Sequence, residues 1–211
     1  MQFIPVLKYA VIISFFISVI SLSILVLRTF SFGKRPLYAE PKGDVKKGIV
    51  YAFGKGMMPW EKESAIKHLP SYIGGILYHL GVFGGFFYLL VTLVPIELPT
   101  LVLLFMRIVL VVGVISGASL LLKRILSPQM RVLSCPDDFA ANIIVNIFVL
   151  AALLHTFYPG ITHLFFLAAV IMFLYMPLGK IRHCFFFFYI RILFGMFYGR
   201  RDIFPPKSHE T

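Results

Sequence analysis

Five stretches of the chain are apolar from end to end, with the polar residues gathered between them: Tyr9–Leu27, Ser71–Val94, Leu98–Leu122, Phe139–Tyr158 and Ile161–Gly179. The hydrocarbon of a bilayer takes roughly 20 residues of helix at about 1.5 Å rise each, and every one of these runs meets that requirement. In lipid, only helices and closed barrels satisfy their own backbone. Barrel strands alternate polar and apolar positions, whereas these runs are continuous. The pattern predicts an all-α integral membrane bundle of five transmembrane helices, forming a single membrane domain over residues 1–211.

The polar stretches between the runs are short, except for a loop at 28–70 and a tail at 180–211. Within the loop, Met57–Leu69 predicts a short interfacial helix, started by Pro59 with Glu61 and Glu63 in its first turn. Met57, Met58 and Trp60 suit a membrane surface or a partner. Cys184–Phe204 is a second such segment, with aromatics, arginines at 191, 200 and 201, and Pro205-Pro206 as a stop. The first run, 19 residues long, is longer than a signal-peptide core and lacks a small-residue cleavage site after it. Arg28 and the Lys34-Arg35 pair follow it as a stop-transfer flank.

Composition agrees with the pattern. The chain is 59% hydrophobic and 14% charged, against about a quarter charged in soluble domains. The net charge of +11 raises the question of nucleic acid, and its distribution answers it. Of 20 Lys and Arg, nine lie between Arg28 and Lys67, three between Lys123 and Arg131, and six from Lys180 to Lys207. The opposite connections, Pro95–Pro99 and Pro159-Gly160, carry none. That is a positive-inside distribution. It predicts a protein of the cytoplasmic membrane with its N-terminus outside and its C-terminus in the cytoplasm, and it turns the basic excess toward membrane lipid rather than nucleic acid. Cys135 and Cys184 both fall on the cytoplasmic side, where a disulfide is not expected.

Against this background the ionisable groups at membrane depth stand out, because such groups are costly in hydrocarbon and mark function. His79 lies in the second run among Gly74, Gly75, Gly81, Gly84 and Gly85. Small residues admit close approach, either of another helix or of a flat macrocycle. His183 follows the fifth run in Pro177-Leu178-Gly179-Lys180-Ile181-Arg182-His183, where Pro177 can re-aim the helix end and Lys180 and Arg182 can snorkel or pair with carboxylates. Two imidazoles facing each other between helices are a protein cradle for a haem iron. The alternatives are a histidine hydrogen-bonded across a helix contact and a histidine among basic interfacial anchors. Arg107 sits about 13 Å inside the third run with no intramembrane carboxylate to meet it, which leaves a cofactor carboxylate, a quinone oxygen or backbone carbonyls. Asn142 and Asn146 share a helix face and suit interhelical hydrogen bonding. His68, His155 and His209 read as structural. No Ser-His-Asp set, phosphate loop, CxxC or HExxH appears, so a complete enzyme is not indicated.

Three stretches give a resemblance to a known family. They are Tyr78-His79-Leu80-Gly81, the basic loop Lys123–Arg131 leading through Ser134 to Asp138, and Pro177–His183. In order and spacing they resemble the membrane cytochrome b subunits of the respiratory nitrate reductase gamma type, with relatives in heterodisulfide-reductase-like and sulfite-reductase-associated complexes. The likeness spans roughly Tyr72 to His183. It implies haem b held by His79 and His183, with Lys180 and Arg182 toward its propionates. It also implies a quinone as mobile substrate and an iron–sulfur redox partner on the cytoplasmic side. The family's second, outer haem takes ligands at positions where this chain has Leu89 and Phe165, neither of which can ligate iron. His163 is the residue that could stand in for one of them, but it lies 20 residues before His183, on nearly the opposite helix face at about 100° per residue, which counts against a second haem. His163 and Arg107 otherwise border a quinol site. The resulting expectation is an electron-transferring membrane subunit, with a haem-free anchor or assembly subunit for a soluble partner as the alternative.

Overall fold

The structure is a computed structural model and describes residues 3–32 and 40–206. Lys34, Arg35, Lys207 and His209 lie outside the described residues. Among the described residues every regular element is helical: α1 (Phe3–Ser31), α2 (Val45–Phe53), α3 (Glu63–Lys67), α4 (Leu69–Leu93), α5 (Thr100–Leu126), α6 (Pro128–Leu133), α7 (Pro136–His155), α8 (Thr162–Tyr175) and α9 (His183–Arg200). Five are long and apolar enough to cross a membrane: α1, α4, α5, α7 and the stretch Lys180–Arg200 that contains α9. The predicted fifth run is a shorter helix. It opens with a 3-10 turn at Pro159–Ile161 and stops at Tyr175. Pro177 cannot donate to the helix ladder, and the Tyr175 ring lies against Gly179 where a side chain would be. The expected interfacial helix is also divided. Pro59–Glu61 is a 3-10 turn and α3 follows only after Lys62, which is extended at φ −130°. Glu61 is drawn away from the helix start by Tyr51 and Lys55.

The chain forms two compact units. The first comprises residues 1–20 and 70–181. Its helices meet through glycines. Gly81 of α4 and Gly113 of α5 stand back to back, such that a Cβ on Gly113 would lie 2.6 Å from the Gly81 Cα. Gly85 receives the Phe148 ring of α7, and Gly117 receives Tyr78 and Asn146. α8 lies antiparallel along the whole of α7. At one end His155 bonds Thr162 at 2.9 Å; at the other, the Tyr175 hydroxyl donates to the Asp137 carboxylate. Phe148 and Phe165 are completely buried between them.

One end of this unit is stitched by polar groups from four helices. Lys123 at the end of α5 donates to Ser71 near the start of α4. Arg124 pairs with Asp138 of α7 at 3.3 Å and donates to Ser134 at 2.8 Å. Lys180, beyond α8, pairs with the same Asp138 at 2.6 Å, and its backbone N–H donates to Asp137 at 2.8 Å.

The second unit comprises residues 21–69 and 182–211, described to residue 206. Asp44 caps α2 by accepting from the N–H groups of Lys46 and Lys47, at 2.7 and 3.2 Å. α2 and α9 then touch backbone to backbone. A Cβ on Gly199 would lie 2.9 Å from the Gly48 Cα, and Gly195 rests on Ile49. The N–H groups of Lys42 and Gly43 both donate to the Arg200 carbonyl. The Tyr51 hydroxyl donates to Glu61 at 2.6 Å, and its ring packs on Phe204.

That hydrogen bond carries a pH dependence. Burial and the Glu61 carboxylate push the Tyr51 phenol up to about 12, and the same bond holds Glu61 below its ordinary value. Glu61, depressed on folding, stabilises above its unfolded value, and this is lost as pH falls through its folded value. Tyr51, raised on folding, stabilises fully below its ordinary 10.0, and this is lost as pH rises through about 12. Melting of this unit, followed at the sole tryptophan Trp60, is expected to show a plateau between those limits. In Tyr51→Phe both limbs are expected to flatten.

Candidate functional site

His79 stands exposed on α4, past the middle of its first half. Its Nδ1 lies 2.7 Å from the Gly75 carbonyl one turn earlier. A carbonyl only accepts, so Nδ1 carries the proton and the ring's lone pair is on Nε2. Histidine ligands to metals share this feature, one nitrogen oriented by a backbone carbonyl and the lone pair left on the other.

The glycines around His79 divide into two groups. Gly81, Gly84 and Gly85 are consumed by helix packing, against Gly113, Val109 and Phe148. Gly75 meets nothing, and Gly74 only brushes Leu120 at 3.8 Å. The small-residue packing alternative therefore accounts for the glycines beyond His79 but not for Gly75, which leaves an open strip on the helix beside the imidazole.

His183 is the first residue of α9 and is exposed. It belongs to the second unit, and His79 to the first. The two cations assigned to propionates differ in their surroundings. Lys180 is engaged by Asp138 and Asp137, whereas Arg182 is exposed on the turn before α9. Arg107 is satisfied by the third of its alternatives. Its guanidinium donates to the Thr156 carbonyl at 2.5 Å and to the Thr156 hydroxyl at 3.3 Å, and lies 4.1 Å from the centre of the Phe157 ring. It thus closes the C-terminal end of α7, where carbonyls lack helical partners. Arg107→Leu strands a buried carbonyl, at a cost of about 1–3 kcal/mol. The expected result is a lower melting temperature in detergent. His163 is exposed in the first turn of α8.

His155 is the buried histidine of the first unit, with both nitrogens committed. Thr162 spends its one hydroxyl proton on the Pro159 carbonyl. Nε2 of His155 therefore donates to Thr162 and Nδ1 accepts from the Tyr88 hydroxyl, both at 2.9 Å. Such a ring has no lone pair left for a metal, which agrees with its structural reading. Asn146 donates to Asn142 within α7 at 2.6 Å rather than across helices; the interhelical bond comes from the Tyr78 hydroxyl, which donates to the Asn142 carbonyl at 3.3 Å.

Leu89 and Phe165, where the resemblance leads one to look for outer ligands, are part of the core. Leu89 is buried, and Phe165 is stacked on Tyr88 at 5.8 Å and on Phe148 at 5.9 Å, with His155 at 5.3 Å. Tyr88 and Asp137 are not singled out by the sequence, and Asp138 only as the end of the basic-loop stretch. Tyr88 is one of many aromatics in an apolar run, but two adjacent carboxylates opening a membrane helix were a usable signal.

Among the described residues no group of three or more His, Cys, Asp or Glu side chains is placed to hold a metal ion; an axial pair of imidazoles asks for two. No protein-family model matches the chain, and no curated protein or solved structure is found to match it.

Proposed function

We propose that the protein is the haem b subunit of a membrane oxidoreductase complex, carrying electrons between the quinone pool and an iron–sulfur partner on the cytoplasmic side. The observation that carries this reading is His79, with Nδ1 bound to Gly75 and Nε2 basic beside an open glycine strip. His183 is the second axial ligand, as the family resemblance implies. A b-type haem supplies one-electron transfer; the chain supplies its ligands, its burial and the charge around it. Arg182 takes the propionate role, since Lys180 is bound to Asp138. A single haem is favoured because the ring stack of Tyr88, Phe148, His155 and Phe165 occupies the region where outer ligands would stand. His163 remains a quinol contact in this reading, while Arg107 serves the end of α7. The basic loop 28–70 docks the partner, and the chain is a subunit rather than a complete enzyme. The membrane is the cytoplasmic one, with the N-terminus outside.

The glycines packed at Gly81, Gly84 and Gly85 also suit a haem-free anchor for a soluble partner. A dithionite-reduced-minus-oxidised spectrum with a pyridine haemochrome count separates the two. Protein purified from haem-replete cells is expected to show a b-type spectrum at one haem per chain. Absence of the spectrum would overturn the reading and leave the anchor.

A further inference from the structure

α5 and α7 run antiparallel, tied at one end by Arg107 on Thr156 and at the other by Arg124 on Asp138. Between these ties the two helices leave a groove of about 440 Å³. Val114, Ala118, Leu122 and Ile125 line it from α5, Ile147 and Leu150 from α7. Its depth comes from Ala118, a methyl group between the bulkier Val114 and Leu122 one turn away on either side. Asn146 also borders it, yet its amide donates to Asn142 and its oxygen is turned toward Gly117. The surface offered is therefore apolar. Leu122, Ile125, Ile147 and Leu150 are exposed, so the groove is open from the side.

The length of the groove narrows what fills it. It follows α5 from Val114 to Ile125, a distance of about 16 Å at the rise of a helix. α5 itself is long and apolar enough to cross a membrane, and a hydrocarbon core is roughly 30 Å thick. The groove therefore covers the depth of one leaflet. A membrane helix of a partner, or of a second copy, asks for a seam along the whole span; an acyl chain asks for half of it. At its charged end the groove meets α6, the short connection from α5 to α7. Arg124 is committed there to Asp138 and Ser134. Arg131 of α6 is exposed and has no carboxylate partner among the described residues. Val132 and Leu133 beside it are exposed as well. A guanidinium presents paired N–H donors that fit a phosphate, and its long stem reaches from apolar surface to the headgroups.

We infer that the groove between α5 and α7 is a binding site for one phospholipid, with an acyl chain laid along Ala118 and the phosphate on Arg131. The site lies wholly within the first unit, and it is independent of the redox reading.

The test uses the full chain in liposomes that contain phosphatidylglycerol with a diazirine in its acyl chain, and locates the photolabel by peptide mass spectrometry. In the wild type, label is expected to concentrate on residues 114–125 and 143–150. Ala118→Phe fills the groove from an exposed position and is expected to abolish that labelling. Ile108→Phe, exposed in the other half of α5, is expected to leave it unchanged. Native mass spectrometry of the same chains is expected to show one retained phospholipid, its retention falling about fivefold in Arg131→Gln. Label spread evenly over the exposed faces of all the membrane helices would mean bulk lipid only and overturn the site. Chain dimers without lipid, separated by Ala118→Phe, would put a second copy in the groove and overturn it as well. Unchanged retention in Arg131→Gln would overturn the phosphate assignment.

Discussion

Gly113→Leu is expected to prevent the first unit from assembling. The position faces Gly81 backbone to backbone, and a Cβ there would already lie 2.6 Å from the Gly81 Cα. Overpacking a core costs typically about 1–3 kcal/mol when neighbouring side chains can shift. Here the obstacle is main chain, so relief requires α4 and α5 to separate along their length. Separation also withdraws Gly84 from Val109, and Gly117 from the Tyr78 side chain. The loss should therefore reach or exceed the top of that range. It is measured as the shift in SDS unfolding midpoint in mixed micelles, or as failure to accumulate in the membrane. Gly75→Ala is the matched control. A Cβ there meets nothing, and alanine is favoured over glycine inside a helix by about 0.5–1 kcal/mol. That variant should be slightly more stable than wild type in the absence of haem, and should retain haem less well if the macrocycle lies along the strip.

His79→Ala is expected to remove the b-type spectrum while leaving the fold in place. The side chain is exposed, and its Nδ1 bonds the Gly75 carbonyl of its own helix. An axial ligand, by contrast, cannot be replaced by a methyl group, and free imidazole at high concentration should restore part of the absorbance. His155→Ala should do the reverse. It strands the buried Tyr88 hydroxyl, at a cost of about 1–3 kcal/mol, and it should keep the haem. A spectrum lost in His155→Ala and kept in His79→Ala would exchange the two roles and refute the assignment.

The spans of α1, α4, α5 and α7 are legible from hydropathy, because burial in lipid imposes a length and a composition that few other environments would produce. Placing His79 on α4 required no more than that. The division between α8 and α9 is legible in the split between Ile161–Gly179 and the segment Cys184–Phe204, but the stop of α8 at Tyr175 is not, since the run is apolar to its end and only Pro177 hints that the helix stops. The partner of Arg107 was narrowed to three kinds but not chosen, because a backbone carbonyl leaves no trace in side-chain sequence. The clasp of Lys180 on Asp137 and Asp138 joins residues more than 40 positions apart, beyond any periodicity. The pairing of α2 with α9 had a visible trace, Gly195 and Gly199 one helical turn apart, but glycine spacing alone does not identify the opposing surface.

The contact of Gly48 with Gly199 also has a meaning in time. Some 150 residues separate the two, and at about 5–20 residues per second of synthesis α2 waits roughly 8–30 seconds for its partner to be made. During that interval its glycine face and the ring of Tyr51 are uncovered. Each chain emerging from the ribosome thus passes through a stage at which α2 must be shielded by lipid or by a chaperone. A nonsense change anywhere before Gly195 would leave it there permanently, marking truncated copies for proteolysis however well their membrane helices had inserted.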